Sequence, residues 1–215
     1  LIAPYGGDKW IVLNHTSTVA LNRQKGIEAL KYKDVSENYK KKLGDFETPK
    51  IDGASAVVVL FGGKTPSIYS KRISKKTGRQ IEYTAKLPKI MDMKVPKDFG
   101  TTVLRAEVFG VDTDGRELPN RTLGGMLNAS VQKSRAIQKM SGTPLRLAGY
   151  DIVKYQGKNV SNLPIQEKYK LLEEINLKFP GIENPLQLNK TIPFAEGTVV
   201  WRDGKPLKVK NKQDY

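Results

Sequence analysis

The segment Lys50–Gly53, which reads Lys-Ile-Asp-Gly, contains residue types and a spacing that could support covalent chemistry. A lysine amine attacks phosphorus only after losing its proton, and its reference pKa is about 10.4. Neighbouring cations and partial burial disfavour the ammonium form, and the chain has 37 Lys and Arg against 22 Asp and Glu. Asp52 could orient the amine, and Gly53 allows a turn and the close approach of a phosphate. We therefore predict that Lys50 is a nucleophile, with a structural lysine at the start of a strand as the alternative.

Two carboxylates and a pair of lysines follow this segment. Glu107 and Glu196 each lie in an apolar run that is typical of a β-strand. Lys208 and Lys210 alternate with apolar residues, which places both ammonium groups on one side of a strand. Carboxylates bind a hard divalent cation, and ammonium groups neutralise the charge of a triphosphate. The set of residues indicates phosphoryl transfer.

In this order the segments resemble the motifs of the adenylation (nucleotidyltransferase) domain of ATP-dependent DNA ligases, which share their fold with RNA ligases and mRNA-capping guanylyltransferases. The resemblance spans most of the chain. The matching segments are Lys50–Gly53, Tyr69–Arg72, Glu107, Tyr150–Ile152, Glu196–Gly197 and Lys208–Lys210. The resemblance implies an α+β fold of mainly antiparallel sheets flanked by helices, with the DNA-ligase/mRNA-capping nucleotidyltransferase (ATP-grasp-like) architecture.

The resemblance also implies roles for individual residues. Lys50 is expected to form a covalent bond to AMP taken from ATP, and Tyr150 to stack on the base. The expected nucleotide contacts are Thr48, Ile51, Lys71, Arg72, Glu107, Tyr150, Lys208 and Lys210, and the expected ligands of a Mg²⁺ or Mn²⁺ ion are Glu107 and Glu196. The implied partner is nicked duplex DNA, whose 5′-phosphate receives AMP before a 3′-hydroxyl displaces it.

Two positions depart from the family pattern. Ser55 replaces the basic residue that usually follows the Asp-Gly pair by two positions, so Lys71 or Arg72 is expected to supply part of its role. Thr48 occupies a position where many DNA ligases carry an acidic side chain that reads the adenine amino group, and Glu47 lies one residue further from Lys50. An RNA ligase, a capping-type guanylyltransferase and a noncatalytic basic nucleic-acid-binding module therefore remain alternatives.

The end of the chain allows two assignments of the lysine pair. We prefer Lys208 and Lys210, which alternate around Val209, but Lys210 and Lys212 are a second choice. We expect one domain over residues 1–215, and the resemblance to DNA ligases implies a C-terminal OB-fold domain after it in the full-length protein, absent from this chain. Without that domain we expect inefficient nick sealing.

Periodicity predicts alternating strands and helices. Strands are predicted at 56–61, 67–72, 103–109, 145–155 and 197–202, and helices at 165–179, within 120–140, and in a lysine-rich region marked by Ile27, Leu30, Tyr39 and Leu43. Gly62–Thr65 imitates the end of a phosphate-binding loop, but no helical pattern follows it, so we predict a hairpin turn.

Composition narrows the class of protein. The formal charge of +15 and the pI of about 9.8 favour binding to polyanions such as duplex nucleic acid. The chain has no cysteine, which excludes disulfides and thiolate metal sites. It also lacks a long apolar run and the features of a secretion signal. We therefore expect an intracellular monomer in the cytoplasm, the nucleoid or a virus-infected cell, neither secreted nor bound to a membrane.

Overall fold

The computed structural model describes residues 32–75, 77–194 and 196–211, which form two β-sheets. The smaller sheet has the strand order β1-β11-β10-β2, with β1 (Lys33–Asp34), β2 (Phe46–Pro49), β10 (Gly197–Arg202) and β11 (Lys205–Lys210). The larger sheet has the order β5-β4-β3-β6-β7-β8, with β3 (Ala54–Leu60), β4 (Ser67–Ile73), β5 (Gln80–Glu82), β6 (Thr102–Gly110), β7 (Leu145–Tyr155) and β8 (Lys158–Asn159). Strand β9 (Ile182–Glu183) pairs in parallel with β7. The remaining pairs are antiparallel except for β1 with β11.

Helices flank the sheets, as expected for an α+β fold. They are α1 (Pro88–Met91), α2 (Asn120–Asn128), α3 (Val131–Ser141), α4 (Ile165–Lys178) and α5 (Pro185–Leu188), with a 3₁₀ helix at Thr84–Lys86. The longest, α4, repeats apolar residues at helical spacing and buries Leu172 and Ile175 in the main core. Alternate residues of β6, including Leu104 and Val108, enter the same core. This packing fixes the central strands of the larger sheet.

The predicted strands and the helix after Pro164 are confirmed, with boundaries that differ by at most two residues. The Gly62–Thr65 turn is also confirmed, because it joins β3 to β4 and the Lys64 amide donates to the Phe61 carbonyl at 3.1 Å. No described helix is both long and apolar enough to cross a membrane.

The prediction of one helix within 120–140 is wrong, because two helices occupy that range. Helix α2 ends at Asn128, and the Ser130 hydroxyl then accepts a hydrogen bond from the Lys133 amide and caps α3. Val131 is therefore the first residue of a new helix, and it is 40% exposed.

The lysine-rich helical region is also wrong where the structure describes it. Residues 35–45 form turns, and Leu43 is fully exposed. Gly44 takes a φ of +89°, which the helical conformation does not allow, and Arg202 binds the Asp45 carboxylate at 2.7 and 2.8 Å. Ile27 and Leu30 lie outside the described residues.

Candidate active site

A cavity of about 330 Å³ lies between the two sheets. This volume falls within the usual range for pockets that hold small molecules. Its walls are formed by Tyr32, Thr48, Pro49, Lys50, Ile51, Ser55, Lys71, Glu107, Tyr150, Val199, Trp201 and Lys208. The cavity therefore contains seven of the ten residues predicted from sequence as site residues, namely Thr48, Lys50, Ile51, Lys71, Glu107, Tyr150 and Lys208.

Cross-strand register explains why residues distant in sequence meet here. In the smaller sheet Val199 pairs with Thr48 on one side and with Lys208 on the other. Directly paired residues project from the same face of a sheet. All three contact the cavity, so they form a continuous row along one wall.

A second row forms the opposite wall on the larger sheet. Ser55 of β3 pairs with Glu107 of β6, and the neighbouring pair of Ala56 with Ser70 sets Lys71 of β4 beside Ser55. Lys71, Ser55 and Glu107 all contact the cavity. A ligand between the sheets would thus meet a cation, a hydroxyl and a carboxyl group side by side.

Lys50 lies on the connection that passes from β2 in one sheet to β3 in the other. Its backbone amide donates to the Gly197 carbonyl at 3.0 Å, which ties the connection to the start of β10. Its ammonium group makes an ion pair with Glu196 Oε2, and Lys210 Nζ lies 3.8 Å from the other oxygen of Glu196. The Lys50 and Glu196 side chains are each 21% exposed, so the pair is accessible from the cavity side of the molecule without being freely solvated.

Asp52 does not orient the Lys50 amine, contrary to expectation. Its carboxylate accepts hydrogen bonds from the Asn120 side-chain amide at 2.8 and 3.1 Å. Its own backbone amide donates to Glu117 Oε1 at 2.8 Å. These contacts anchor the connection to the start of α2, so Asp52 holds the backbone that carries Lys50.

Gly53 is required by packing of the connection against β6. A Cβ atom at this position would lie 2.4 Å from the Val108 carbonyl oxygen and 2.8 Å from Glu107 Cγ. The sequence predicts that Gly53 permits the close approach of a phosphate. In the structure the atoms that approach Gly53 closely belong to the neighbouring strand β6.

Burial controls the ionisation of Glu107. It raises the pKa of this carboxyl to about 8, although Lys50 and Lys71 act in the opposite direction. The nearby carboxylates of Asp52 and Glu196 raise the pKa further. Glu107 is therefore mostly protonated at pH 7 and can act as a hydrogen-bond donor until additional positive charge enters the site.

Lys71 has the reverse tendency. Burial lowers its pKa, the Arg105 guanidinium lowers it as well, and Glu107 opposes them. A partly buried cation with a lowered pKa gains from any anion that reaches the cavity, because the anion restores the charged form.

Tyr150 enters the cavity through a β-bulge. Arg105 of β6 pairs with Asp151, and the next residue, Ala106, pairs with Gly149, so Tyr150 has no opposite residue of its own. Bulges re-aim side chains in this way. The Tyr150 hydroxyl lies 3.2 Å from Ser55 Oγ, within hydrogen-bonding distance.

The cavity wall combines two chemically different kinds of side chain. Tyr150, Trp201 and Val199 provide aromatic and aliphatic surface, whereas Lys50, Lys71 and Lys208 provide positive charge. A planar base with an attached phosphate matches this division.

The structure places the other predicted residues outside the cavity. Arg72 is exposed on β4 and does not contact the cavity, so its predicted nucleotide contact has no support from this arrangement. Lys210 and Glu196 meet at the mouth, next to Lys50. Lys212, the alternative member of the lysine pair, lies outside the described residues.

Glu47 cannot substitute for an acidic residue at position 48. It pairs with Val200 on the opposite face of the smaller sheet, where it accepts hydrogen bonds from the Tyr39 hydroxyl at 3.0 Å and from Lys41 Nζ at 2.8 Å. Of these two neighbouring residues of β2, Thr48 lines the cavity and Glu47 does not.

Five residues of the cavity wall are outside the predicted set of site residues, namely Tyr32, Pro49, Ser55, Val199 and Trp201. Trp201 lies two positions after Val199, so the period of the strand alone could have placed it on the same wall. Tyr32 precedes β1 and carries no local signal. Burial and the nearby groups Tyr150 and Glu107 raise its pKa, which keeps its hydroxyl protonated.

A divalent cation such as Mg²⁺ requires oxygen ligands, which carboxylate side chains can supply. No group of three or more His, Cys, Asp or Glu side chains suited to a metal occurs among the described residues. Magnesium is commonly held by one or two carboxylates together with substrate phosphates. Glu196 fits this mode, and Glu107 fits it once an added cation favours its ionised form.

Two solved ligase structures share the fold. The first is a mycobacterial DNA ligase D complexed with ATP and MES, with a TM-score of 0.51 and 16% identity over 85% of this chain and 58% of that one. The second is the ligase domain of M. tuberculosis LigD, with a TM-score of 0.51 and 17% identity over 77% of this chain and 54% of that one. At these identities the likeness shows the fold alone.

Sequence comparison identifies the family. Residues 28–196 match the family model of the ATP dependent DNA ligase domain. The chain therefore belongs to the ATP-dependent DNA ligase domain family. A DNA ligase of Methanocella arvoryzae is 28% identical over 149 residues, which are 66% of this chain and 23% of that protein. The chain thus corresponds to a minor part of the length of this relative.

Proposed function

We propose that the chain is the nucleotidyltransferase domain of an ATP-dependent DNA ligase and that Lys50 forms its covalent nucleotide intermediate. One observation carries the proposal: Lys50 lines the same cavity as Tyr150, Lys71 and Lys208, and its ammonium group contacts Glu196. In the proposed step Lys50 Nζ forms a bond to the α-phosphorus of ATP, and the bond from that phosphorus to pyrophosphate breaks. Family membership supports the same chemistry.

The side chains around Lys50 have distinct proposed roles. Glu196 Oε2 contacts the ammonium group and is within reach of the proton that Nζ must lose before it attacks. Lys71 and Lys208 contact the phosphate and ribose part of the nucleotide, and Lys210 at the mouth neutralises further charge. Glu107 contacts ribose and donates a hydrogen bond to it while its carboxyl group keeps its proton.

The base occupies the part of the cavity between Tyr150 and Val199. Tyr150 stacks on it, and Thr48 and Ile51 line the path to Lys50. A Mg²⁺ or Mn²⁺ ion held by Glu196, with Glu107 in its ionised form, would offset charge on the triphosphate when bound.

The second substrate is nicked duplex DNA. AMP moves from Lys50 to the 5′-phosphate, which breaks the bond between nitrogen and phosphorus and forms a diphosphate linkage. A 3′-hydroxyl then attacks the 5′-phosphate and releases AMP. The charge of +15 supports binding to the DNA backbone, and we propose that the protein acts as an intracellular monomer.

Intact-mass measurement tests the central step. After incubation with Mg²⁺ and ATP we expect the mass of one AMP to be added, and we expect no addition to the Lys50→Ala variant. Lys170→Ala is the matched control, because this lysine is exposed on α4. Since one half-buried side chain contributes little to stability, the Lys50 variant should keep its thermal unfolding midpoint.

Three outcomes of this measurement would contradict the proposal. An unchanged adduct in Lys50→Ala would eliminate Lys50 as the nucleophile. An adduct from GTP alone would indicate a guanylyltransferase. No adduct with ATP, GTP or NAD would indicate a binding module without this chemistry.

A further inference from the structure

A buried cluster of ionic side chains lies next to the bulge that carries Tyr150. The Asp151 carboxylate forms ion pairs with Arg105 and, at 2.9 Å, with Lys168 Nζ of helix α4. The exposed fractions of the three side chains are 1% for Asp151, 7% for Arg105 and 9% for Lys168. Neither Asp151 nor Lys168 contacts the cavity, so this cluster lies outside the site described above.

The cluster holds the bulged strand from two directions. Arg105 is the cross-strand partner of Asp151 on β6, whereas Lys168 approaches from a helix packed against β7. A bulge interrupts the regular ladder and leaves local freedom in the strand. Two cations fixed on the residue immediately after Tyr150 restrict this freedom.

The far end of the Tyr150 ring is held separately. Its hydroxyl lies 3.2 Å from Ser55 Oγ on β3, close to the connection that carries Lys50. The ring is therefore restrained at its backbone by the ionic cluster and at its tip by Ser55. Ordering of a ring before a ligand arrives lowers the entropic cost of stacking.

From this arrangement we infer that Lys168 is a positioning residue for the base-stacking ring of Tyr150. Lys168 acts through Asp151 and the bulge without touching the nucleotide. This inference rests on the proposed function, because it assigns the cavity to a nucleotide base. It predicts that loss of Lys168 weakens ATP binding with little change in the rate of the chemical step.

Lys168→Met is the informative variant. It keeps most of the aliphatic stem and leaves the pair of Asp151 and Arg105 in place, so no buried carboxylate loses its last cation. We expect KM for ATP in formation of the Lys50 adduct to rise about tenfold, the scale of one base-stacking contact, and kcat to change less than about twofold. Lys168→Arg should restore most of the affinity, and Lys170→Met, on the exposed side of the same helix, should leave both constants unchanged.

A double-mutant cycle separates positioning from general stability. ATP affinity is measured by calorimetry in the Lys50→Ala background, where the covalent step is blocked. Lys168→Met should weaken binding there about tenfold but change it less than about twofold when Tyr150 is replaced by Ala. Ser55→Ala provides a second test through the other end of the ring, with the same loss of effect in Tyr150→Ala.

The cycle distinguishes two failures. Equal effects of Lys168→Met with and without the Tyr150 ring, or no effect in either background, would overturn the inference. Absence of any AMP adduct in the unsubstituted chain would overturn the proposed function instead, since the cycle itself does not require the covalent step.

Discussion

Lys50 lines the cavity and contacts Glu196, which lies just outside it, and this contact is the most consequential one of the site. Glu196 Oε2 forms an ion pair with the Lys50 ammonium group, so this contact must be rearranged before the amine can attack in the proposed reaction. The same carboxylate thus has a part in both the resting state and the proposed reaction.

Glu196→Gln should therefore slow formation of the AMP adduct by about 10² or more, because a neutral amide neither accepts the lysine proton nor offers a charged oxygen to a metal. Single-turnover adduct formation followed by mass spectrometry measures this rate. Glu47→Gln is the matched control on the opposite face of the sheet. A loss of the thermal unfolding transition in Glu196→Gln would instead show that the residue is structural.

Glu107 should make the stability of the ligand-free chain depend on pH. The folded chain keeps this proton up to about pH 8, whereas the unfolded chain releases it near pH 4.5. Between these values the folded state binds more protons, so the free energy of unfolding falls as the pH rises, and the stabilisation is fully present only below pH 4.5. Urea unfolding from pH 5 to pH 8 should show a shallower decline in Glu107→Gln than in the unsubstituted chain. Parallel declines in both would contradict the proposed protonation of Glu107.

Lys71 and Arg72 are consecutive residues on opposite faces of strand β4, so their variants can be compared directly. Lys71 contacts the cavity, and the next residue, Arg72, is exposed outside it. Lys71→Met should lower kcat/KM for adenylation about tenfold, which matches one lost charge-assisted contact. Arg72→Met should change it less than about twofold. The reverse order would show that Arg72 supplies the contact predicted from sequence.

The tight packing of the connection between β2 and β3 predicts how a substitution at Gly53 changes stability. Gly53→Ala should reduce the free energy of unfolding by about 2 kcal/mol or more, because its Cβ would overlap the Val108 carbonyl. Gly125→Ala is the control: it lies exposed in α2 with no atom within 4 Å of the added carbon, and it should stabilise by about 0.5 to 1 kcal/mol. Chemical unfolding of both variants checks the opposite signs.

Regular periodicity made much of the fold predictable. Strands β7 and β10 and helix α4 have long, uninterrupted apolar patterns, and their predicted positions are confirmed. Short elements such as β1 and α5 have too few residues for a period to be recognised. Tyr39 and Leu43 have helical spacing, but the decisive contact in residues 35–45 is that of Asp45 with Arg202, which spans most of the chain and has no local signal.

The site residues also divide into those that a local pattern predicts and those that depend on contacts between distant segments. Lys50, Glu107 and Lys208 line the cavity and could be predicted from motifs, because the proposed chemistry restricts their residue types. Tyr32 precedes β1, which pairs with β11 from the other end of the chain, so its place in the cavity wall depends on a contact between distant segments. The assignment of Asp52 was wrong because its partner, Asn120, lies in a separate element whose approach no local pattern encodes.

At the scale of the whole molecule, the net charge predicts how the chain meets DNA. With a formal charge of +15, binding to a nicked duplex should release many counterions. The dissociation constant should rise about 10³-fold between 50 and 200 mM salt if roughly six phosphates are contacted. Fluorescence anisotropy across this range tests the prediction, with ATP binding to the same chain as a less salt-dependent reference. A flat salt profile would argue against backbone contacts as the source of affinity.

The location of Lys50 on the connection between the sheets has a mechanical consequence. Tyr150 belongs to the larger sheet and Val199 to the smaller one. A nucleotide bonded to Lys50 Nζ and stacked between these residues would contact both sheets and restrict their movement relative to each other. The form with AMP bonded to Lys50 would then be the most rigid state of the catalytic cycle. Transfer of AMP to DNA would empty the cavity and remove this link between the sheets. Each catalytic cycle would thus restore both the free Lys50 amine and the less restricted arrangement of the two sheets.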